Sequence, residues 1–256
     1  MGHIRSQETV DSALRMSDNG ISDRANAEIH GVAIKTIKRW RRVYQELGLP
    51  RGTGFQPTPC PQCDGAELDE AAYALLLGWY LGDGSIAKAR RGVFTLQIAN
   101  DARYDDLNRE IAETIIRVKP TASPVPRRRP GVVLTEARWK HWPCVFPQHG
   151  PGRKHLRKIE LVDWQLEIVA KYPERLLRGL FHSDGCRFLN WVSKADGRRY
   201  EYLRYMFSNE SDDIRKILTD TLDVLGIPWR QPRRNVIAVS RKEGVERLDT
   251  FVGPKS

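Results

Sequence analysis

No apolar run in the chain approaches the roughly 20 residues that cross a bilayer, and the first residues lack the apolar core of a secretory signal. An intracellular, cytoplasmic protein without a membrane partner is therefore expected. Cysteine is scarce, four in 256 residues, which argues for reduced thiols or metal ligands rather than a disulfide framework. Acidic residues are outnumbered: 32 Asp and Glu stand against 42 Lys and Arg, a formal charge of +10, with an isoelectric point near 9.6. That balance, with aromatics interspersed, favours a polyanion as partner, of which nucleic acid is the usual one. The length suits one or two domains with a sizeable core.

What is present is a near-repetition. Leu76-Leu77-Gly78-Trp79-Tyr80-Leu81-Gly82-Asp83-Gly84 and Leu177-Arg178-Gly179-Leu180-Phe181-His182-Ser183-Asp184-Gly185 are both apolar helical runs closing on Asp-Gly. Small residues four apart, Gly78 and Gly82 in one and Gly179 and Ser183 in the other, share a helix face and let a second helix approach closely. Glycine after each aspartate suits a left-handed helix stop. An aspartate in the last turn opposes the helix dipole at a cost of roughly 0.3–1 kcal/mol. Its repetition beside a packing motif points to two carboxylates meeting at one place, a natural metal site.

The two segments resemble the paired motifs of the LAGLIDADG homing endonucleases, in the single-chain, two-motif form. The likeness runs from about Asp69 to Val252. After the first motif Val93–Asp101 leads into a helical stretch to Arg117, and after the second Tyr202–Glu210 leads into another, to Leu225. The resemblance implies an α+β fold, a duplicated αββαββα saddle with pseudo-two-fold symmetry that straddles DNA. It also implies that Asp83 and Asp184 bind Mg²⁺, one per scissile strand, with basic or amide side chains beside the ions. By position those are Gln97 in the second strand of the first half, Lys140 at the end of its fourth strand, and Arg241 or Lys242 in the second half. Cysteine or serine at the start and His-Asn at the end, which intein splicing requires, are missing, so splicing is not expected.

Four regions are expected: a helix-turn-helix over 1–47, a linker with a CxxC knuckle over 48–68, the first half and connector over 69–158, and the second half over 159–256. In the first, Ser22–Ile29 reads as a short helix, Gly31 as the turn and Ala33–Leu47 as a longer helix with Ala33, Ile37, Trp40 and Tyr44 on one face. Lys35, Thr36, Lys38 and Arg39, early in that helix, are placed to reach bases in a major groove, and Arg41 and Arg42 to reach phosphates. A basic helical hairpin that only packs on the main domain has the same pattern.

Asp69 and Pro173 suit the starts of the two motif helices. Four expected turns carry paired arginines: Arg90 and Arg91, Arg127 and Arg128, Arg198 and Arg199, Arg233 and Arg234. One pair is ordinary in a solvated turn, but four in repeat-related turns suggest a rim that grips phosphates of double-stranded DNA. Thr95, Gln97, Arg187, Asn190, Arg204 and Arg230 alternate along strands and are candidates for base contacts.

Cys60-Pro61-Gln62-Cys63 has the spacing of half a structural Zn²⁺ site, and Cys144 with His149 suits the other half, with His141 and His155 as competitors. Cys186 reads as a buried strand thiol. The expected function is a Mg²⁺-dependent, site-specific DNA endonuclease acting as a monomer with internal pseudo-symmetry. A non-catalytic transcription regulator on the same fold is the alternative, and the family also includes RNA maturases.

Overall fold

The computed structural model describes residues 5–47, 59–193 and 197–255. The chain forms two compact units, Met1–Pro59 and Cys60–Ser256. The expected linker from Gly48 lies outside the described residues as far as Thr58, as does Asp196 in the third arginine turn.

The first unit contains α1 (Gln7–Asp18), α2 (Asp23–Ile29) and α3 (Ile34–Leu47). The backbone N–H groups of Thr9 and Ala25 donate to Ser6 Oγ and Ser22 Oγ, satisfying donors that a helix start leaves open. Val10, Ala13, Leu14, Ala27, Ile37 and Trp40 close a small core, with Val32 and Tyr44 against it. Ala33 does not share the buried face: it precedes the helix and is exposed. Gly31, at φ +57°, turns the chain so that Val32 packs inward instead. Asn26, fully buried, donates from Nδ2 to the Ala13 carbonyl at 2.7 Å and ties α2 to α1.

The second unit opens with α4 (Pro61–Asp64). There follow α5 (Glu70–Leu81), β1 (Gly84–Lys88), β2 (Phe94–Asp101), α6 (Asp105–Val118), β3 (Val125–Arg129), β4 (Val132–Trp139) and α7 (Trp142–Val145). After α8 (Asp163–Lys171) the pattern returns as α9 (Pro173–Asp184), β5 (Gly185–Ser193), β6 (Arg199–Ser208), α10 (Asp212–Val224), β7 (Arg230–Arg233), β8 (Val236–Val239) and α11 (Lys242–Asp249). The fold is α+β, with two antiparallel four-stranded sheets of matching order, β1-β2-β4-β3 and β5-β6-β8-β7. This is the αββαββα unit twice.

Alternation along the strands sets the two faces of each sheet. Leu96, Ile98, Val133, Thr135 and Ala137 point into the core of the first sheet, and Tyr205, Phe207, Ile237 and Val239 into that of the second. The opposite face of each sheet is the open one. The β5–β6 ladder runs from Gly185↔Phe207 to Ser193↔Arg199, whereas β1–β2 stops at Lys88↔Phe94. The longer hairpin outreaches the core, so Leu189, Trp191 and Tyr200 are exposed.

At the centre, α5 lies against α9. Ala72 to Leu81 are all buried, as expected of a helix apolar on every side. Asp69 accepts from the Ala72 N–H at 2.9 Å and caps its start. Gly78 and Gly179 form the contact: a Cβ on Gly78 falls 2.9 Å from Gly179 Cα and inside contact distance of the Leu176 carbonyl oxygen. Arg178 joins the halves by donating to both carboxylate oxygens of Glu110 on α6, and to the carbonyls of Phe251 and Val252.

Candidate functional site

The helix pair carries Asp83 and Asp184 to one place at the junction of the halves. Asp184 is the last residue of α9, and its Oδ2 lies 3.3 Å from where a Cβ on Gly82 would stand. Gly84 and Gly185 do not serve as left-handed stops. Gly185 is extended at φ −106°, and Gly84 is absent from the positive-φ positions. Their lack of a side chain is needed for packing instead, because a Cβ on Gly185 would sit 2.6 Å from the Phe181 carbonyl oxygen and one on Gly84 2.9 Å from Ile98 Cδ1.

Two lysines that sequence reasoning missed attend these acids. Lys154 Nζ donates to the carbonyls of Tyr80, Leu81 and Gly82 at 2.6, 2.8 and 2.5 Å. It thereby occupies the negative end of the α5 dipole. Lys255 Nζ donates to the Ser183 carbonyl at 3.3 Å, the corresponding place on α9. The signal was in the sequence: each lysine follows its aspartate by 71 residues (83 to 154, 184 to 255) in a Gly-Pro context.

Asp83 is exposed, yet the dense surroundings of its carboxyl, and then the Asp184 charge, push it up to about 6 against the pull of Lys154 and Lys255. Burial raises the Asp184 carboxyl as well, opposed by a 2.6 Å hydrogen bond from Asn209 Nδ2 and by both lysines. Burial lowers Lys154 to about 8 despite both carboxylates.

His182, two residues before Asp184 on α9, is fully buried in a stacked contact with Trp79, 6.1 Å between centroids. Among the described residues neither of its ring nitrogens, nor Trp79 Nε1, meets a partner at hydrogen-bond geometry, although the Val252 backbone lies close enough to temper the imidazole's shift. Burial, then the Arg178 and Lys255 charges, lowers the imidazole to about 3. The repeat places Leu81 at the corresponding position. His182→Leu is therefore expected to raise stability at pH 7 by about 1–2 kcal/mol, because it removes two unsatisfied polar atoms. A histidine whose folded pKa is depressed lends stability that is lost as pH falls from its unfolded value near 6.5. The wild type should thus lose ground to the variant by about 1.4 kcal/mol per unit from roughly pH 6 to 3. Parallel denaturant titrations check both; parallel curves would remove this account of His182.

Lys140 and Lys242 are not brought to the acids. Gly84 pairs with Ile98 and Ile98 with Thr135, whereas Lys140 follows Trp139 at the far end of β4. Five strand residues separate the two levels, roughly 17 Å. Lys242 starts α11, exposed, with Glu246 at 3.7 Å. Gln97 lies on the open face opposite Ser85 and donates to Glu136 Oε1 at 2.7 Å.

Strand alternation also sorts the arginines. Arg127 and Arg128 belong to β3, not to a turn, and adjacent strand residues face opposite ways. Arg127 is on the open face, bonded to Glu136 at 2.6 Å, while Arg128 is opposite buried Val133 and bonded to Asp105 on α6. Arg129 and Arg138 share the open face through their registers with Val132 and Thr95. Arg187, paired with buried Tyr205, is held by Asp249 at 2.7 and 2.9 Å and does not reach that face.

Asn190, Tyr202 and Arg204 do lie on it, as do Arg230 and Arg233, opposite Ala238 and Val236. Arg90 and Arg91 form the β1–β2 turn, with Arg91 at φ 62°. Arg199 stacks over Trp191 at 4.8 Å, and Arg234 bonds Glu210 at 2.6 Å. Arg198 precedes β6. On α3, Lys35, Lys38 and Arg39 are exposed and Thr36 half-exposed, whereas Arg41 is paired with Asp23 at 3.0 Å.

Cys60, Cys63 and Cys144 come together, but with His141 rather than His149; the four ligand atoms lie within 4.8 Å of one another. The reason is helical: α7 places Cys144 one turn after His141, with the Cys144 N–H bonded to the His141 carbonyl. His149 lies beyond the helix, edge-on to Phe94 at 5.7 Å. Cys186 is exposed rather than buried. Among the described residues no helix is long and apolar enough to cross a membrane.

Two αββαββα halves, joined by a glycine-packed helix pair with an aspartate at the end of each helix, define a class of internally duplicated α+β protein with its acidic site where the halves meet. Solved structures similar in fold are LAGLIDADG homing endonucleases. Mesophilic variants of I-DmoI are 12% identical at a TM-score of 0.48, over 72% of this chain and 96% of that one. I-WcaI bound to its DNA recognition sequence is 16% identical at 0.46, over 82% and 92%. I-AabMI bound to uncleaved DNA is 13% identical at 0.43, over 70% and 82%. No protein-family model matches the sequence, and no curated protein matches it.

Proposed function

We propose that the protein is a site-specific double-strand DNA endonuclease of the LAGLIDADG homing type. The observation that carries this reading is the meeting of Asp83 and Asp184 at the ends of α5 and α9, each helix end holding a lysine. The donors fit Mg²⁺, since the two carboxylates offer hard oxygens and no sulfur. An ion held there by Asp83 and Asp184 would supply an activated water and charge neutralisation at the scissile phosphates.

The chain's own groups do the remaining work. Lys154 and Lys255 hold ammonium charge beside the carboxylates, where negative charge grows as a P–O bond breaks. Asn209 fixes one oxygen of Asp184, and its own amide is oriented because Oδ1 accepts from the Ser211 N–H at 2.8 Å. The open-face arginines of both sheets hold the backbone of the duplex, and Thr95, Gln97, Asn190 and Arg204 are set to meet base edges. The first unit acts as a helix-turn-helix that adds contacts through Lys35, Thr36, Lys38 and Arg39. A single chain supplies both half-sites, so the active form is a monomer. Zn²⁺ is a second, structural ion at the cysteine cluster.

Lys154→Met is expected to slow cleavage roughly 10²–10³-fold while leaving DNA binding in Ca²⁺ intact; equal cleavage rates would remove Lys154 from the site. To test the proposal, genomic fragments are captured in Ca²⁺, sequenced, and then supplied with Mg²⁺. One long recurring sequence, cut on both strands, supports it. A recurring sequence left intact makes the protein a regulator.

A further inference from the structure

We propose that Cys60, Cys63, His141 and Cys144 are the complete ligand set of one structural zinc ion, and that this ion anchors the segment that delivers Lys154 to the acids. The ligand set stands independently of the endonuclease reading; only the consequence for Lys154 rests on it. Cys63 Sγ is 3.6 Å from Cys144 Sγ, and His141 Nδ1 is 3.6 Å from each. A tetrahedral zinc with Zn–S near 2.3 Å and Zn–N near 2.0 Å spaces its ligand atoms about 3.5–3.8 Å apart. Cys63, Cys144 and His141 therefore stand at three corners of such a tetrahedron, and the Cys60 sulfur lies within 4.8 Å of all three. Three soft sulfurs and one imidazole select zinc over Mg²⁺, and four protein ligands close the shell as structural sites do.

The surroundings show what the ion holds. α4 and α7 are four residues each, too short to be stable on their own. Cys60 is fully buried where α4 begins, and Cys63 follows on that helix. His141 and Cys144 flank the first turn of α7. The ion thus joins segments some 80 residues apart in sequence, a tie that limits the unfolded chain as a cross-link does.

Beyond the ligands, α7 buries Trp142, Val145 and Phe146. The Tyr73 hydroxyl on α5 donates to the Val145 carbonyl at 2.5 Å, and the Phe146 and Tyr80 rings are 4.4 Å apart. The connector then leads straight from Phe146 to Lys154, whose three bonds close on the end of the same helix. Zinc fixes the start of this strap and the lysine its end.

The test begins with elemental analysis of the full chain, purified without chelator, followed by Co²⁺ exchange. One zinc per chain is expected, and Co²⁺ should give thiolate charge-transfer and tetrahedral visible bands. His141→Ala and Cys144→Ser should lose the metal, while His149→Ala keeps it. His141→Cys should also retain zinc, showing that loss in His141→Ala reports a ligand and not misfolding. Zinc-free wild type, or metal lost with His149→Ala and kept with His141→Ala, would overturn the ligand set. Removing zinc should speed hydrogen exchange over residues 146–157 at least tenfold while α10 is unchanged. Equal exchange in that segment would overturn its role as an anchor.

Discussion

Asp83→Asn and Asp184→Asn, each alone, are expected to abolish Mg²⁺-dependent cutting, by roughly 10³-fold or more, while leaving a folded protein that binds the same DNA in Ca²⁺. Both acids stand where helix carbonyls already concentrate negative potential, and burial raises both carboxyls. A fold has no reason of its own to keep charge there twice. The amide has the size of the acid and removes that charge. Because the folded pKa of Asp83 is raised, its ionisation is disfavoured in the native state at pH 7, so asparagine should hold or slightly raise the melting temperature. With solvent reaching Asp83, the gain is at most about 1 kcal/mol. Cleavage assays on a captured target, with thermal melts alongside, separate the two effects. Full activity in either variant would mean that the acids are structural.

Gly78→Ala or Gly179→Ala should have the opposite signature, a loss of the fold itself. In an isolated helix, alanine for glycine gains about 1 kcal/mol. Here each new methyl meets backbone: on Gly179 it lies 2.7 Å from the Trp79 nitrogen and 2.9 Å from Gly78 Cα. Backbone cannot rotate aside as a side chain does, so the helices must part. A net loss of about 3 kcal/mol or more is expected. Gly150→Ala, whose methyl would meet only the end of Arg157 at 3.4 Å, serves as the control, within about 0.5 kcal/mol of wild type. Denaturant midpoints measure all three.

The repeat made the architecture legible. Two glycine-spaced apolar runs ending in aspartate gave the helix pair, and the strand-helix order after each gave the halves. Asp69 and Pro173 start their helices as capping chemistry requires. What the sequence hid was whatever depends on chain reversal or register. Lys140 and Lys242 stood at plausible strand ends, but only the pairing of Gly84, Ile98 and Thr135 shows which end holds the acids. Lys154 lay in a turn-rich connector whose return path no periodicity reveals, although its equal spacing with Lys255 was readable. The fourth member of the cysteine cluster is His141 and not His149, because a one-turn helix, invisible at four residues, aligned it with Cys144. Adjacent arginines read as pairs until alternation on β3 separated Arg127 from Arg128.

The measurement that bears most directly on the central claim is sequencing of the DNA ends produced when the protein meets a captured target in Mg²⁺, beside the Asp83→Asn, Asp184→Asn double variant. The paired acids predict ends at one position on each strand, separated by a short fixed stagger and absent with the variant. Ends that persist in the double variant, or a target bound by the wild type yet never cut, would contradict it.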